Sequence, residues 1–254
     1  MAKIHVLLKK EELDRERLTG KTVIVLDVLF ATSTLVAALG HGASEVIPTM
    51  DGAAALRIAA GRTAGSYVLT GELDAETLPG FIQPTPLALL RADVRSRSVI
   101  QSTTNGTVAL HKSLAAAHVY AAALLNGDAV VRHVAHTHPD ETVLIVCSGS
   151  ADNFNLEDFF AAGHLVALFE QSHPGHEYSD AAIAARLLAT RHHAQNCLRD
   201  ARVGRMMRER GLADEVDYAA RTDIFDVVPK FEGGRLRPVA TAAREPSGTA
   251  SPLP

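Results

Sequence analysis

The sequence predicts an α/β protein of three layers (α/β/α), in which helices cover both faces of a parallel or mixed β-sheet. Short runs rich in Val, Ile and Leu alternate along the chain with segments whose apolar residues recur at helical spacing. Only 5% of the 254 residues are aromatic, so aliphatic and alanine side chains must fill the core between the layers.

The first half of the chain contains five strand-like runs. They are KIHVLL (3–8), TVIVLDVL (22–29), EVIPT (45–49), SYVLTGE (66–72) and SVIQS (98–102). The second run leads into a predicted helix, TSTLVAALGHG, which we expect Thr32 to Thr34 to cap. GAAALRIAAG predicts another helix, and apolar spacing predicts a third from Thr107 to Ala117.

The second half continues the alternation. AHVYAAAL and ETVLIVCSGS predict strands, and NGDAVVRHVAHTH predicts a helix capped by Asn126. NLEDFFAAGHLVALFEQ predicts a long helix capped by Asn155, and residues 179–211 have a helical pattern with a break in the middle. FDVVPKFEGGRLRPVA then ends the fold with strand character.

These elements predict a single compact domain over residues 1–241, since no long linker separates them. A cleft between two halves of that domain is left open by the sequence. Residues 242–254 are small, polar and rich in proline, which predicts a disordered tail.

The composition excludes several classes of partner. A net charge of −4 with a pI near 6.3 provides no basic stripe for nucleic acid. No apolar run is long enough for a signal peptide core or a membrane span. The two cysteines, Cys147 and Cys197, favour a reducing compartment, so we expect a cytoplasmic protein; a homo-oligomer is compatible with the sequence.

Three predicted strands end in a polar cluster that opens a helix. The crossings are LDVLFATST (26–34), IQSTTNGT (100–107) and VCSGSADNFN (146–155). In open α/β sheets, anions bind where strand carboxyl ends meet helix N-termini, because free amide groups point there. Each cluster alone is also explained by ordinary helix capping, and that alternative stays open for each.

Carboxylates accompany these crossings. Asp27 interrupts an apolar strand, and Glu72 ends another run; burial of either without a partner is costly. Mg²⁺ is a natural partner for such oxygen ligands, and pairing with an arginine or a helix end is the alternative. Glu157 and Asp158 lie in the first turn of a predicted helix, where its dipole favours negative charge.

Several familiar sites are excluded by single residues. Leu29 stands where an aspartyl phosphatase loop needs an acid, and Asn153 where a cysteine phosphatase loop from Cys147 needs arginine. The chain also lacks a Walker lysine pattern and a GxGxxG after a strand. Zinc binding by His133, His136 and His138 is one interpretation of their spacing, but histidines on a helix surface are the more frequent meaning.

Six motifs occur in the order typical of one family. They are DVLFATST, LTGE, STTNGT, VCSGS, NLEDFFAAG and SDAA. From about residue 21 to Pro229 the chain thereby resembles the 2-phosphosulfolactate phosphatase family, Mg²⁺-dependent acid phosphatases of coenzyme M biosynthesis. The resemblance implies an α/β/α fold and hydrolysis of a phosphate monoester on a small acidic hydroxyacid, most simply 2-phosphosulfolactate to sulfolactate and phosphate.

The resemblance also implies site residues. Asp27 and Glu72 would be catalytic and would bind Mg²⁺ together with Glu157 and Asp158. Asp180 would approach from a later helix. The residues expected to bind phosphate or substrate are Thr32, Ser33, Thr34, Thr103, Thr104, Asn105, Gly106, Ser148 and Gly149. Whether Asp27 attacks phosphorus or acts as a metal ligand or base is left open.

The chain departs from the family pattern near the first motif. Phe30 replaces an arginine that suits bidentate binding of an oxyanion, and Leu73 stands where a basic residue is common. The stretch after Gly80 and Phe81 also differs. Two alternatives therefore stand beside the first: the same fold acting on another phosphomonoester, and a non-catalytic phosphate sensor. An arginine from 199–210 that filled the place of Phe30 would favour the first.

Overall fold

The computed structural model describes residues 2–172 and 175–241, and eleven strands in these ranges form one mixed sheet. The strands are β1 (Lys3–Leu7), β2 (Thr22–Leu26), β3 (Glu45–Thr49), β4 (Tyr67–Leu73), β5 (Glu76–Thr77), β6 (Ser98–Ser102), β7 (His118–Ala122), β8 (Val143–Cys147), β9 (Glu177–Tyr178), β10 (Val228–Glu232) and β11 (Arg235–Val239). Their order across the sheet is β5-β4-β6-β3-β11-β10-β7-β2-β8-β1-β9.

Ten α-helices are found within the same ranges. They are α1 (Ala31–Gly40), α2 (Gly52–Ala60), α3 (Pro86–Leu90), α4 (Gly106–Lys112), α5 (Gly127–Thr137), α6 (Leu156–Ser172), α7 (Asp180–Arg191), α8 (Ala194–Asp200), α9 (Arg202–Glu209) and α10 (Ala213–Ala219). None of those described combines the length and apolar character that crossing a bilayer requires.

The sheet consists of two parallel halves joined by one antiparallel hairpin. Strands β4, β6 and β3 run parallel in one half, and β7, β2, β8 and β1 in the other. The hairpin β10–β11 lies between them, with Lys230 paired to Tyr120 and Leu236 to Val46. Gly233 and Gly234, both at positive φ, form the two-residue turn that such a hairpin favours.

The apolar core lies on both faces of the sheet. In β2, Val23 and Val25 pack into one cluster while Ile24 and Leu26 pack into the other, as the two-residue period of a strand dictates. Helices α5 and α6 cover the face of Ile24, and α1 and α4 cover the opposite face. The predicted three-layer α/β/α class is therefore confirmed, and the sheet is mixed rather than wholly parallel.

Two helices connect the halves. Helix α1 packs against β7 of one half and against β3 and β6 of the other, and α4 packs against β2 and β3. The N-termini of both helices consequently lie at the boundary between the halves. The carboxyl ends of β2 and β6, which precede these helices, are brought together there.

The boundaries of several predicted elements were wrong. Strand β2 ends at Leu26, so Asp27 follows the strand rather than interrupting it. Phe30 is the N-cap of α1, which places Thr32 to Thr34 inside its first turn, and the helix predicted to reach Ala117 ends at Lys112. The segment 179–211 contains two breaks, because the backbone is extended at His192 and Ala201. The tail 242–254 lies outside the described residues, and the single-domain prediction stays a prediction.

Candidate active site

A cavity of about 270 Å³ lies at the carboxyl ends of β2, β4 and β6. Of the predicted site residues, Asp27, Glu72, Thr104 and Asn105 line it. The remaining ones are buried without lining it: Thr32, Ser33, Thr34, Thr103, Gly106, Ser148, Gly149, Glu157 and Asp158. Asp180, which the family pattern suggested, is exposed at the start of α7 and does not line the cavity.

The carboxylate of Asp27 is bound by two backbone N–H groups. Only 5% of the residue is exposed, and the backbone N–H groups of Gly106 and Ala31 donate to its carboxylate. A Cβ at position 106 would lie 2.6 Å from Asp27 Oδ2, so only glycine permits this approach. Burial, followed by the charge of Glu72, raises the pKa of Asp27 to about 6.

Glu72 is fixed by three hydrogen bonds. The Thr104 backbone N–H donates to Oε1 (2.6 Å), while the Thr104 hydroxyl (2.9 Å) and the Ala75 backbone N–H (2.7 Å) donate to Oε2. A carboxylate offers about four acceptor positions. Oε1 therefore keeps acceptor capacity toward the cavity that Glu72 lines.

The STTNGT loop serves the two carboxylates. Both donors of Thr104 go to Glu72, and the Gly106 N–H goes to Asp27. The Thr103 hydroxyl accepts from Thr107 N in a local helix cap (3.3 Å), and Asn105 Oδ1 accepts from Lys10. Direct phosphate binding by these residues stays a prediction. In the structure, Thr104 orients Glu72 and Gly106 orients Asp27.

The third crossing supplies two further buried acids. Asp158 accepts from the backbone N–H groups of Val28 (2.9 Å) and Gly149 (3.2 Å), which ties the loop after β2 to the loop after β8. Burial and the charges of Asp27 and Glu157 raise the pKa of Asp158 well above its usual value. Asp158 thus acts in the structure as a tie between two loops.

Glu157 differs from Asp158 in that no other described residue donates a hydrogen bond to its carboxylate. Both of its carboxylate oxygens are buried without one among the described residues, as is the hydroxyl of Ser148. Burial raises the pKa of Glu157 to about 7, and the charge of Asp27 adds to the rise while that of Arg202 opposes it. The oxygens of Glu157 therefore keep acceptor capacity beside the site.

The first turn of α1 is packed rather than open. Thr32 accepts from the Asp27 backbone N–H through its hydroxyl (2.9 Å), and Thr34 donates its own to the carbonyls of Phe30 and Pro84. Ser33 is buried with its hydroxyl unpartnered in the described structure. Thr32 and Thr34 therefore shape the loop after β2, and phosphate binding by these three residues stays a prediction.

Lys10 is a site residue that the sequence analysis missed. It is buried, and its Nζ donates to Asn105 Oδ1 (2.9 Å) and to the Ser148 carbonyl (3.3 Å), with Glu11 Oε1 at 2.9 Å. Its charge lowers the pKa of Asp27. The sequence signal that could have identified Lys10 is its position shortly after β1. Strand β1 pairs with β8, which leads into the third crossing.

Comparison with known proteins identifies the family. The sequence model described as "2-phosphosulpholactate phosphatase" matches residues 7–234. The chain belongs to this family. It is therefore placed among the phosphoric monoester hydrolases, and the resemblance carried by the six motifs is confirmed.

Alignments with individual relatives cover most of this chain and nearly the whole of each relative. A "Probable 2-phosphosulfolactate phosphatase" of Symbiobacterium thermophilum is 33% identical over 224 residues, which cover 87% of this chain and 95% of that protein. One of Clostridium beijerinckii is 29% identical over 236 residues, covering 92% and 98%. One of Caldanaerobacter subterraneus subsp. tengcongensis is 31% identical over 229 residues, covering 88% and 92%.

Arg202 lies beside the phenylalanine that departs from the family pattern. Both Arg202 and Phe30 line the cavity, together with Val203 and Met206. Arg202 is exposed at the start of α9, and its Nη2 donates to Ser150 Oγ and to Asn155 Oδ1 (3.1 Å). The 199–210 segment therefore brings a guanidinium into the cavity that Phe30 lines.

The site's chemistry fits a hard divalent cation. Burial raises the pKa of Asp27, Glu157 and Asp158; the charge of Glu72 adds to the rise at Asp27, and the charge of Asp27 adds to the rise at Glu157 and Asp158. Ionisation of these acids is costly in so poorly hydrated a place, and a nearby cation would offset that cost. Asp27 and Glu72 alone among these four line the cavity, and their oxygens are the ligands that Mg²⁺ prefers.

Proposed function

We propose that the protein hydrolyses the phosphate monoester of a small acidic hydroxyacid with Mg²⁺, and that its substrate is 2-phosphosulfolactate. The observation that carries this proposal is the meeting of Asp27, Glu72 and Arg202 in one cavity. The two acids suit a cation and a phosphate, and the guanidinium suits a second anionic group of the same substrate. The printed names of the relatives supply the substrate.

Asp27 and Glu72 are the residues that would hold Mg²⁺, which when bound neutralises the phosphate and polarises the oxygen that reacts. Hydrogen bonds from Gly106, Ala31 and Thr104 keep both carboxylates oriented before substrate arrives. With a pKa of about 6, Asp27 is mostly ionised at neutral pH, the form required both for attack on phosphorus and for metal binding. Trapping a phosphoenzyme separates these two roles.

Arg202 would bind the acidic end of the substrate. Its guanidinium presents paired N–H donors that match the oxygens of a sulfonate or carboxylate. Phe30, Val203 and Met206 supply the apolar side of the same cavity, whose volume of about 270 Å³ suits a three-carbon phosphoester. A different phosphomonoester is the second candidate, because Phe30 replaces the family's arginine.

The test is phosphate release from a panel of phosphomonoesters, with 2-phosphosulfolactate and phospholactate included, in Mg²⁺ and in EDTA. We expect release that depends on Mg²⁺ and is lost in Asp27→Asn and Glu72→Gln. Glu76→Gln, an exposed acid on the neighbouring β5, is the matched control and retains activity. Phosphate binding without release across the panel would contradict the proposal and favour a sensor.

The remaining functional predictions concern the pathway, the cellular compartment and the partners of the protein. We extend the proposal to a place in coenzyme M biosynthesis, since the relatives' named substrate belongs to it. Cys147 and Cys197 are free and buried, which supports a reducing, cytoplasmic setting. That the protein does not bind nucleic acid stays a prediction from its net charge, and that it forms a homo-oligomer stays a prediction as well.

A further inference from the structure

A second cluster of side chains lies at the amino ends of the parallel strands, whereas the cavity lies at their carboxyl ends. His118 is the first residue of β7, His138 follows α5, and Glu141 precedes β8. One ligand atom from each of the three lies within 4.8 Å of the others. The cluster is therefore near the amino ends of the parallel strands, while Asp27 and Glu72 are near their carboxyl ends.

Distances in the cluster suit a shared cation better than hydrogen bonds. Glu141 Oε1 is 3.4 Å from His118 Nε2 and 3.7 Å from His138 Nδ1. Good N–H···O bonds measure about 2.7–3.2 Å. Ligands of a tetrahedral zinc ion with bonds of about 2.1 Å are about 3.4 Å apart. The carboxylate oxygen thus stands at ligand spacing from both imidazoles.

Outer hydrogen bonds support two of the three side chains. The Thr22 hydroxyl donates to the other oxygen of Glu141, Oε2 (2.7 Å), and the Tyr120 hydroxyl contacts His138 Nε2 (2.9 Å). Tyr120 is itself held by His133 Nε2 at 3.2 Å. Such outer partners fix the orientation of metal ligands. They leave Glu141 Oε1 and His138 Nδ1 as the atoms available to a cation.

His118 lacks such support. Its Nδ1 is buried without a hydrogen-bond partner in the described parts of the chain, although buried polar groups normally have one. The His118 ring stacks on that of His138 at 3.7 Å between centroids. Its other nitrogen, Nε2, is the atom that lies 3.4 Å from Glu141 Oε1.

We propose that His118, His138 and Glu141 bind a zinc ion. Two imidazoles and one carboxylate form a donor set typical of zinc, whereas Mg²⁺ takes oxygen ligands. The three side chains are 13–29% exposed, so a water molecule reaches the fourth position of the ion. Among the histidines that the sequence singled out, His138 is a ligand, His133 supports it through Tyr120, and His136 is exposed outside the site.

The proposal also gives the ion a structural effect. His138 and Glu141 belong to the connection between α5 and β8, and His118 belongs to the sheet. An ion that binds these three side chains in the folded state, and not in the unfolded state, links this connection to β7. Zinc is therefore expected to raise the melting temperature of the protein.

The experiment titrates the full chain, stripped with EDTA and exchanged into metal-free buffer, with ZnCl₂ alone. Calorimetry is expected to show one zinc per chain for wild type and for Asp27→Asn. His118→Ala and Glu141→Gln weaken binding by about tenfold or more. His136→Ala, an exposed histidine on the same helix end, binds as wild type does. Zinc raises the melting temperature of wild type and not that of Glu141→Gln.

Three outcomes would overturn the proposal: no zinc binding by wild type, unchanged affinity in both ligand variants, or loss of binding in Asp27→Asn. The last would place the ion in the cavity. Circular dichroism checks the fold of each variant, and Glu141→Gln keeps an acceptor for Thr22 if His118→Ala fails to fold. Because the readouts are zinc binding and melting, they are independent of phosphate release.

Discussion

At the scale of single residues, the candidate site is built from carboxylates placed where ionisation is costly. Asp27 and Glu157 are almost wholly buried, with pKa values raised to about 6 and about 7. Neither is paired with a basic side chain at salt-bridge distance within the described residues. Under the proposed function, these buried acids lower the stability of the metal-free protein, and this cost is measurable.

We expect the metal-free protein to lose stability as pH rises through the range from about 4 to about 6. The pKa of Asp27 is raised above its usual 3.8, so the folded state holds a proton there that the unfolded chain has released. The free energy of unfolding of wild type relative to Asp27→Asn should fall by about 1–3 kcal/mol across this range. Denaturant titrations in EDTA at a series of pH values measure it.

Glu76→Gln controls for the loss of an exposed carboxylate in the same titrations. A difference between wild type and Asp27→Asn that is the same at every pH would contradict the prediction.

A second residue-scale prediction concerns Arg202. Arg202→Ala should lower kcat/KM for an acidic phosphoester about 10- to 100-fold, the value of a charged hydrogen bond, and lower it less for an uncharged one. Arg202→Lys should restore only part of the loss, because lysine lacks the paired donors. Arg205→Ala, exposed on the same helix, is the control. Equal losses on both substrates would show that Arg202 does not read the acidic group.

At the scale of elements, the position of Arg202 depends on how α9 meets α8. Gly204 lies in α9 where a Cβ would overlap the carbonyl oxygen of Leu198, at the end of α8. The two helices turn sharply at Ala201, whose backbone is extended. Contact between backbones at Gly204 therefore fixes the first turn of α9, which carries Arg202.

Gly204→Ala is expected to lower the free energy of unfolding by about 1–3 kcal/mol through overpacking. It is also expected to lower kcat/KM for an acidic phosphoester, as Arg202→Ala does, through a higher KM. Thermal melts and steady-state kinetics measure the two effects. Gly61→Ala is the matched control: its φ is −86°, and its nearest neighbour, Ile58 O, would be 3.7 Å from the new Cβ. That substitution should be neutral or stabilising by about 0.4–1 kcal/mol. An unchanged KM in Gly204→Ala would contradict the prediction that the packing of α9 controls substrate binding.

Most strands were predictable from sequence because they are short apolar runs, and β3 and β6 match their predicted bounds residue for residue. The two-residue strands β5 and β9 were not predicted, because their residues carry no apolar pattern. Helix ends were less predictable. Thr32 to Thr34 have the composition of a cap, but Asp27 accepts the first helical N–H groups and moves the helix start back to Ala31. The helix break at Ala201 depends on the packing of Gly204 against Leu198, which no local pattern reveals.

At the scale of the whole molecule, the site combines residues from both halves of the sheet. Asp27 follows β2 in one half, while Glu72 and the STTNGT loop belong to β4 and β6 in the other. Motifs in the right order predicted this meeting. Lys10 and Arg202 were not assigned to it, because only the fold brings Lys10 to Asn105 and Arg202 to the cavity.

The boundary between β3 and the central hairpin is held by one buried acid. Glu45 accepts from Arg62 Nη2 (2.9 Å), Ser98 Oγ (3.0 Å) and Arg237 Nη2 (2.8 Å), and it pairs with Arg235. Burial acts to raise the pKa of Glu45, but hydrogen bonds from Arg237, Arg62 and Ser98 outweigh burial and hold it at about 2. Arg237 and Arg235 come from β11, so this network joins the half that contains β3 to the hairpin.

We expect Glu45→Gln to lower the free energy of unfolding at pH 7 by about 1–2 kcal/mol, a modest value because Arg235 and Arg237 are largely exposed. The stabilisation from a lowered pKa is present above about 4.5 and is lost as pH falls toward about 2. The difference between wild type and Glu45→Gln should therefore shrink over that range. Denaturant titrations measure it, with Glu232→Gln on the same hairpin as control; a difference that persists at pH 2 would refute this assignment.

The central position of the hairpin also orders events during biosynthesis. Ribosomes release β10 and β11 after every other described strand, yet these two fill the middle of the sheet. Until they emerge, β3 and β7 of the nascent chain have unpaired edges, which are templates for association with other chains. The hairpin completes the sheet last. We therefore expect the final placement of Asp27 beside Glu72 to occur late in the folding of a newly synthesised chain.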